Sequence, residues 1–311
     1  MMQEPSYLKL YRERKLQDRI DQAIGIMRDC RLCPRECRVD RLSGEIGYCQ
    51  TGRKARVASF NAHFGEEAPL VGRFGSGTIF ISYCTLLCSF CQNFEISHLG
   101  EGREVEPAAV AAMMLALMRR GCHNVNFVTP THVVPQILEG LILAVEQGLN
   151  IPLVYNSGGY DRVDTLEVLD GIFDIYMPDF KFWDERWAEK FCHAPDYRKH
   201  AMAAIKEMHR QVGDLVMDES GLAVRGLLVR HLVMPHGVAN TEEIMKFLAN
   251  EISPNTYVNV MDQYRPCGRA VTRQARRLSY PITNRRITGE EFTMAVNQAK
   301  QAGLTRLDSR L

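Results

Sequence analysis

The chain has 311 residues, 46% hydrophobic and 24% charged, which supplies enough apolar side chains for a large core and argues against a disordered chain. Lys plus Arg (38) and Asp plus Glu (37) leave a formal charge of +1, so no overall field recruits nucleic acid or an anionic membrane. Ten cysteines and no apolar export segment in the first residues fit a cytoplasmic chain, where thiols stay reduced and clustered cysteines serve as metal ligands.

In chain order, residues 7–28 carry Leu8, Tyr11, Leu16, Ile20, Ala23, Ile24 and Met27 near helical spacing, which predicts an amphipathic helix. Four cysteines follow as Cys30-x2-Cys33-x3-Cys37-x11-Cys49. A short β-rich passage at 56–60 leads through glycine-rich turns to the β-branched run 78–82, a buried strand. Three more cysteines begin directly after it, as Cys84-x3-Cys88-x2-Cys91. Glu104, Glu106 and Pro107 open a helix that Arg119, Arg120 and Gly121 close. Its apolar run, 107–118, falls far short of the ~20 residues that span a bilayer. Strands are then expected at 125–129, 151–155, 173–177, 227–234 and 256–260, and helices at 133–147, 162–170, 184–191, 195–212, 241–250 and 288–302. Alternation of this kind implies right-handed crossovers, a parallel sheet and helices outside it. Six strands are two fewer than a closed eightfold barrel. The expected division is a helix with a cysteine-rich module over 1–76 and the α/β unit over 77–311.

Cys84, Cys88 and Cys91 give three thiolates on a loop after a strand. Three thiolates hold three irons of a cubane and leave the fourth iron open, where S-adenosylmethionine (SAM) can chelate through its amino and carboxylate groups. The competing reading is a zinc knuckle lacking its fourth ligand. Cys30, Cys33, Cys37 and Cys49 supply four thiolates, enough to close either tetrahedral zinc or a second 4Fe–4S centre, with a structural or an electron-relay role. Cys122, Cys192 and Cys267 fall outside both groups and read as small buried hydrophobes.

The Cys84–Cys91 motif, with Phe90 before its last cysteine and the strand–helix alternation around it, resembles the radical SAM superfamily. That resemblance implies a partial (β/α)6 TIM-like barrel, a 4Fe–4S cluster, and an oxidoreductase that cleaves SAM reductively to a 5′-deoxyadenosyl radical. More narrowly the chain is similar to the pyruvate formate-lyase activating enzymes, and more narrowly still it resembles a branch of activase-like proteins, from Cys30 to about Pro266. The marks are CysArgLeuCysProArgGluCys (30–37), HisPheGlyGluGluAlaProLeuValGly (63–72), CysSerPheCysGlnAsn (88–93), AsnPheValThrProThrHis (126–132) and MetProAspPheLys (177–181). By the same likeness Phe90 lies against the SAM adenine, Asn93 contacts SAM, Asn156 and Ser157 reach the ribose, and Asp179 and Lys181 form the Asp-x-Lys pair that meets SAM's charged groups. The activases carry Ser-Gly-Gly-Glu where this chain has Thr129-Pro130-Thr131-His132. Thr131 is expected to keep the backbone contact with SAM, and His132 to bind substrate or shuttle a proton. Tyr83 stands where many relatives have glycine. Arg230, His231 and His236 line the mouth or pack outward and are given no catalytic role, and Glu66 and Glu67 are expected in a solvated turn, with a substrate-side carboxylate pair as the lesser reading.

The function expected is hydrogen abstraction that activates a glycyl radical enzyme, with flavodoxin or ferredoxin as electron donor. The alternatives are radical modification of another peptide or small molecule and, outside enzymes, a metal-binding scaffold or nucleic-acid-binding module.

Overall fold

A computed structural model describes residues 4–271 and 284–308. Residues 1–3, 272–283 and 309–311, which belong to the two units expected from sequence, lie outside that description.

The sheet has one long parallel run. β2 (Ser76–Ile81), β4 (Val125–Val128), β5 (Leu153–Ser157), β6 (Ile175–Pro178), β8 (Ala223–Leu232) and β9 (Tyr257–Met261) pair successively in parallel, and β10 (Arg306–Leu307) adds a two-residue neighbour to β9. These include all six strands expected from the β-branched runs. β1 (Ala55–His63) covers the open side of β2 in antiparallel register, and β3 (Arg103–Val105) pairs with β1 at that edge. The short β7 (Val216–Met217) pairs with β8 alone. The sheet order β10-β9-β8-β6-β5-β4-β2-β1-β3 leaves it open between β10 and β3, so the architecture is a partial (β/α)6 barrel.

Between the strands run Pro107–Arg119, Val134–Glu146, Val163–Val168, Glu185–Cys192, Tyr197–Val212 and Thr241–Phe247, each within a few residues of its expected place. Pro107 and Pro135 sit in the first turns of their helices, where proline's missing N–H has no intrahelical partner to lose. Thr288 and Glu291 form a reciprocal capping box that starts Gly289–Gln301. The strands of the parallel run are almost wholly buried, as a sheet covered on both faces requires.

The amino-terminal helix departs from expectation. It divides into Ser6–Arg12 and Leu16–Ile26, with Arg14 between them at φ 59°. Tyr7, Leu16, Ile20 and Ala23 still face inward, and the second segment packs on Val134–Glu146. Residues 31–54 form loops that lead into β1, and it is β1 that joins the expected 1–76 unit to the barrel's sheet.

Candidate active site at the strand ends

The carboxyl-terminal ends of the parallel strands meet around a cavity of about 170 Å3. After β2 the chain turns through Tyr83 and Leu87, both at positive φ (67° and 52°), and this loop brings Cys84, Cys88 and Cys91 to one wall. Left-handed backbone costs a side chain roughly 1–2 kcal/mol, which is why a glycine suits the place of Tyr83. Tyr83 is held by its N–H to the Ile96 carbonyl (3.0 Å), and its ring fills the space over Gly100, where a Cβ would come within 2.3 Å of the ring.

Opposite the thiols stand Asn156 and Ser157 at the end of β5, then Asp179 and Lys181 after β6, and Arg230 on β8. The Lys181 ammonium pairs with Asp179 Oδ2, while Arg230 Nε donates to Asp179 Oδ1 at 2.8 Å and its Nη2 to Asn156 Oδ1 at 2.7 Å. Burial works against ionising Asp179, but Arg230 and Lys181 outweigh it and hold the carboxyl below its usual range. Lys181 is likewise buried, and Asp179 raises its pKa in spite of that burial. Gly159 has φ 76°, and any Cβ there would lie 2.1 Å from the Asp179 carbonyl oxygen, so the β5 turn needs glycine to leave the charged pair in place.

The donor set fits an iron–sulfur cluster. Leu86 N–H points to Cys84 Sγ at 3.4 Å and Ser97 Oγ to Cys91 Sγ at 3.2 Å, the kind of hydrogen bond that cluster thiolates accept. Burial pushes the Cys84 thiol up to about 11 and raises Cys91; the hydrogen bond with Cys192, and then burial, raise Cys88. Such thiols stay protonated at neutral pH unless a metal takes the proton's place. Among the described residues no three Cys, His, Asp or Glu side chains converge as a site for a single ion.

Several expected residues fall elsewhere. Phe90 is buried in an aromatic group with Phe182, Phe191 and Tyr264, at centroid distances of 6.0, 6.3 and 5.9 Å, and is not among the side chains lining the cavity. Thr131 Oγ1, Tyr155 OH and Ser157 Oγ all donate to the buried Asp161, so Thr131 turns away from the cavity and Thr129, at φ 64°, lines it instead. His132 is not at the mouth. It is 1% exposed, its Nε2 lies 3.0 Å from the Ser82 carbonyl, and burial lowers its pKa to about 4, which suits a neutral structural imidazole. His231 is buried between the Phe180 carbonyl and Thr241 Oγ1. Asn93 lines the cavity.

Other residues were missed. Arg230 was given no role, yet it joins Asp179 to Asn156. Cys192 meets Cys88 at 3.3 Å between sulfurs. Glu66 and Glu67 are buried rather than solvated, at 8% and 4% exposure, and line a second cavity of about 390 Å3 that shares Phe80, Asn93, Val128, Asn156 and Arg230 with the first. The signals were a charged residue inside an apolar strand, LeuLeuValArgHisLeuVal, and the quoted HisPheGlyGluGlu run.

The cysteine-rich segment is tied to this site by arginines. Arg35, between Cys33 and Cys37, donates to the carbonyls of Thr85 (2.8 Å), Cys192 (3.1 Å) and His193, with its guanidinium 4.1 Å from the centroid of Tyr48. Arg41 is 1% exposed and donates to the carbonyls of Gly52 and His132, each at 2.8 Å, while its Nη1 lies 3.9 Å from Cys30 Sγ. Cys37 Sγ accepts the Tyr48 N–H at 3.2 Å. Burial raises the Cys33 pKa, and Cys49, Cys30 and Cys37 add to the rise.

The radical SAM superfamily model matches residues 78–248, a span that holds the three motif cysteines, Asp179, Lys181 and Arg230. The chain belongs to the radical SAM superfamily, whose enzymes use a 4Fe–4S cluster and SAM. An uncharacterized protein of Methanocaldococcus jannaschii is 32% identical over 295 residues, which covers 92% of this chain and 78% of that relative. Among the described residues no helix is long and apolar enough to cross a membrane.

Proposed function

We propose that this protein cleaves SAM at the cavity of Cys84, Cys88 and Cys91 and directs hydrogen abstraction into the adjoining chamber, with a glycine Cα–H of a glycyl radical enzyme as the leading target. The observation that supports the site is that the three motif thiols line the same cavity as Asp179, Lys181 and Arg230. The chemistry a 4Fe–4S cluster supplies there is one electron to the SAM sulfonium, which releases methionine and the 5′-deoxyadenosyl radical. The chain's own residues bind and orient. Lys181 meets the SAM carboxylate, Asp179 its cationic end, and Arg230 keeps Asp179 ionised and in place when Lys181 engages ligand. Asn93 and Asn156, on the walls of both cavities, position the reactive carbon toward the chamber.

The glycine target rests on likeness to the pyruvate formate-lyase activating enzymes, with flavodoxin or ferredoxin as the donor. A small-molecule or peptide target is the second reading, favoured by the 390 Å3 chamber with its two buried carboxylates. Cys30, Cys33, Cys37 and Cys49 are proposed to hold a structural zinc or iron–sulfur centre. Anaerobic turnover with candidate enzymes carrying glycine deuterated at Cα tests the target. Deuterium in 5′-deoxyadenosine and a glycyl radical signal are expected; deoxyadenosine formation with neither result for any glycyl radical enzyme removes that target.

A further inference from the structure

The three motif thiols do not all meet their hydrogen-bond donors in the same way. Backbone N–H groups of Leu86 and Leu87 serve Cys84, and that of Asn93 serves Cys91. Those donors come with the path of the loop, whatever its side chains. Two further donors are side chains outside the motif. Ser97, buried at the end of the short helix Phe94–Ser97, has its Oγ 3.2 Å from Cys91 Sγ. Cys192, wholly buried at the end of Glu185–Cys192, has its sulfur 3.3 Å from Cys88 Sγ.

Both contacts are held in place by bonds around them. The Ser89 N–H donates to the Phe191 carbonyl at 2.8 Å, so the chain neighbours of Cys88 and Cys192 are bonded to each other. Arg35 adds a second tie, because one guanidinium reaches the Thr85 carbonyl at 2.8 Å and the Cys192 carbonyl at 3.1 Å. On the other side, the Tyr83 N–H bonds the Ile96 carbonyl at 3.0 Å and fixes the residue before Ser97 against the start of the loop. His98 Nδ1 lies 2.8 Å from Ser97 Oγ, and its ring stacks on Phe94 at 4.2 Å between centroids. A hydroxyl has one proton to give. With the His98 proton on Nδ1, the ring donates to Ser97 Oγ and leaves the hydroxyl proton for Cys91.

We propose that Ser97 and Cys192 raise the reduction potential of the 4Fe–4S cluster by donating hydrogen bonds to the Cys91 and Cys88 thiolates. The inference rests on the reading that places the cluster on Cys84, Cys88 and Cys91. Iron takes the place of the thiol proton on Cys88, so Cys88 can then only accept, and Cys192, outside the motif, keeps a proton to donate. Reduction adds a negative charge that the thiolates share. A donor aimed at a sulfur therefore stabilises the reduced cluster more than the oxidised one. Both residues act through the thiolates and are positioning residues.

The test is a redox titration of the anaerobically reconstituted full chain, followed by EPR, with dithionite as the source of the single electron. It is run without SAM, so that any contact of SAM with Ser97, which lines the cavity, does not enter the reading. At the potential that half-reduces the wild-type cluster, Ser97→Ala is expected to lower the ratio of reduced to oxidised cluster about tenfold, which for a one-electron couple is about 59 mV. Cys192→Ala should lower it about threefold, because a thiol is the weaker donor. Ser97→Thr and Cys192→Ser keep a donor and should recover most of each shift. Cys122, whose sulfur lies 3.8 Å from the Phe74 carbonyl, is the control, and Cys122→Ala should leave the potential where it is. Ser97→Gly and Cys192→Val remove the same donors with different packing, and they give the reading where an alanine variant fails to retain its iron. An unchanged potential in a variant without its donor overturns the role of that residue. So does a shift that the conservative variant does not recover or that Cys122→Ala matches. Wild-type protein that takes up no 4Fe–4S cluster contradicts the reading of the first cavity. A wild-type cluster with a SAM-sensitive EPR signal, and a potential that none of these substitutions moves, contradicts this inference alone.

Discussion

The two cysteine groups of this chain sit in opposite surroundings. Cys84, Cys88 and Cys91 lie on a strained loop at a strand end and face a cavity that also holds a lysine, an arginine and an aspartate. Cys30, Cys33, Cys37 and Cys49 lie in loops, against Arg41, Tyr48 and their own backbone. Thiols that share a cavity with fixed charges can serve a ligand. Thiols enclosed by the arginines that fasten their segment to the barrel can serve the fold. Arg35 crosses between them by bonding the Thr85 carbonyl inside the Cys84–Cys91 loop, and so fastens the amino-terminal segment to the loop that carries the three motif cysteines.

That contrast can be broken from the structural side first. Arg41→Met removes charge-assisted hydrogen bonds to the partly buried Gly52 and the buried His132, a loss of about 3–4 kcal/mol by the usual worth of such bonds. Chemical denaturation should show it, while SAM affinity measured on the folded fraction should hold. A large loss of SAM affinity without a loss of stability would reverse the roles assigned to the two regions.

The next effect is pH-dependent. Burial pushes the Glu66 carboxyl up to about 7, above the ordinary range of an exposed glutamate, so the unfolded chain ionises this carboxyl first. Its contribution to stability is fully present below about pH 4.5 and is lost as pH rises through 7, a change on the order of 3 kcal/mol. Glu66→Gln should therefore gain relative to wild type between pH 5 and 8, read as a widening difference in Tm. A difference that stays flat across that range contradicts the buried-acid reading.

Lys181→Met is expected to weaken SAM binding by roughly 10- to 100-fold, the worth of one charge-assisted contact. Stability should change little, because Arg230 still pairs with Asp179. Loss of folding with unchanged SAM affinity in the folded fraction would move Lys181 to the structural side.

Local signals carried most of the fold. The six parallel strands are β-branched or apolar runs, and their helices have prolines, acids and basic residues where the caps require them. The break at Arg14 was not visible, because ArgGluArgLys contains no glycine or proline to mark a left-handed turn. Within the site, the cysteine spacing and the Asp179–Lys181 pair were legible because each is a short motif. Arg230 was not: its burial is tolerated through Asp179, 51 residues earlier, and sequence does not display such a pairing. Thr129 was passed over for Thr131 because the buried carboxylate of Asp161, which turns Thr131 aside, lies on another loop. Glu66 and Glu67 read as a polar turn for the same reason. What buries them is the closing of β8 and β9 around the chamber.

The most direct test of the assignment compares Cys88→Ala with Cys33→Ala after anaerobic reconstitution with iron and sulfide. Each variant is measured for iron content, for the EPR signal of its reduced cluster with and without SAM, and for 5′-deoxyadenosine formed with dithionite. Cys88→Ala is expected to lose the SAM-sensitive signal and all deoxyadenosine. Cys33→Ala should keep both in whatever protein remains folded. Deoxyadenosine formation by Cys88→Ala at wild-type rate and iron content would contradict the placement of the cluster on Cys84, Cys88 and Cys91.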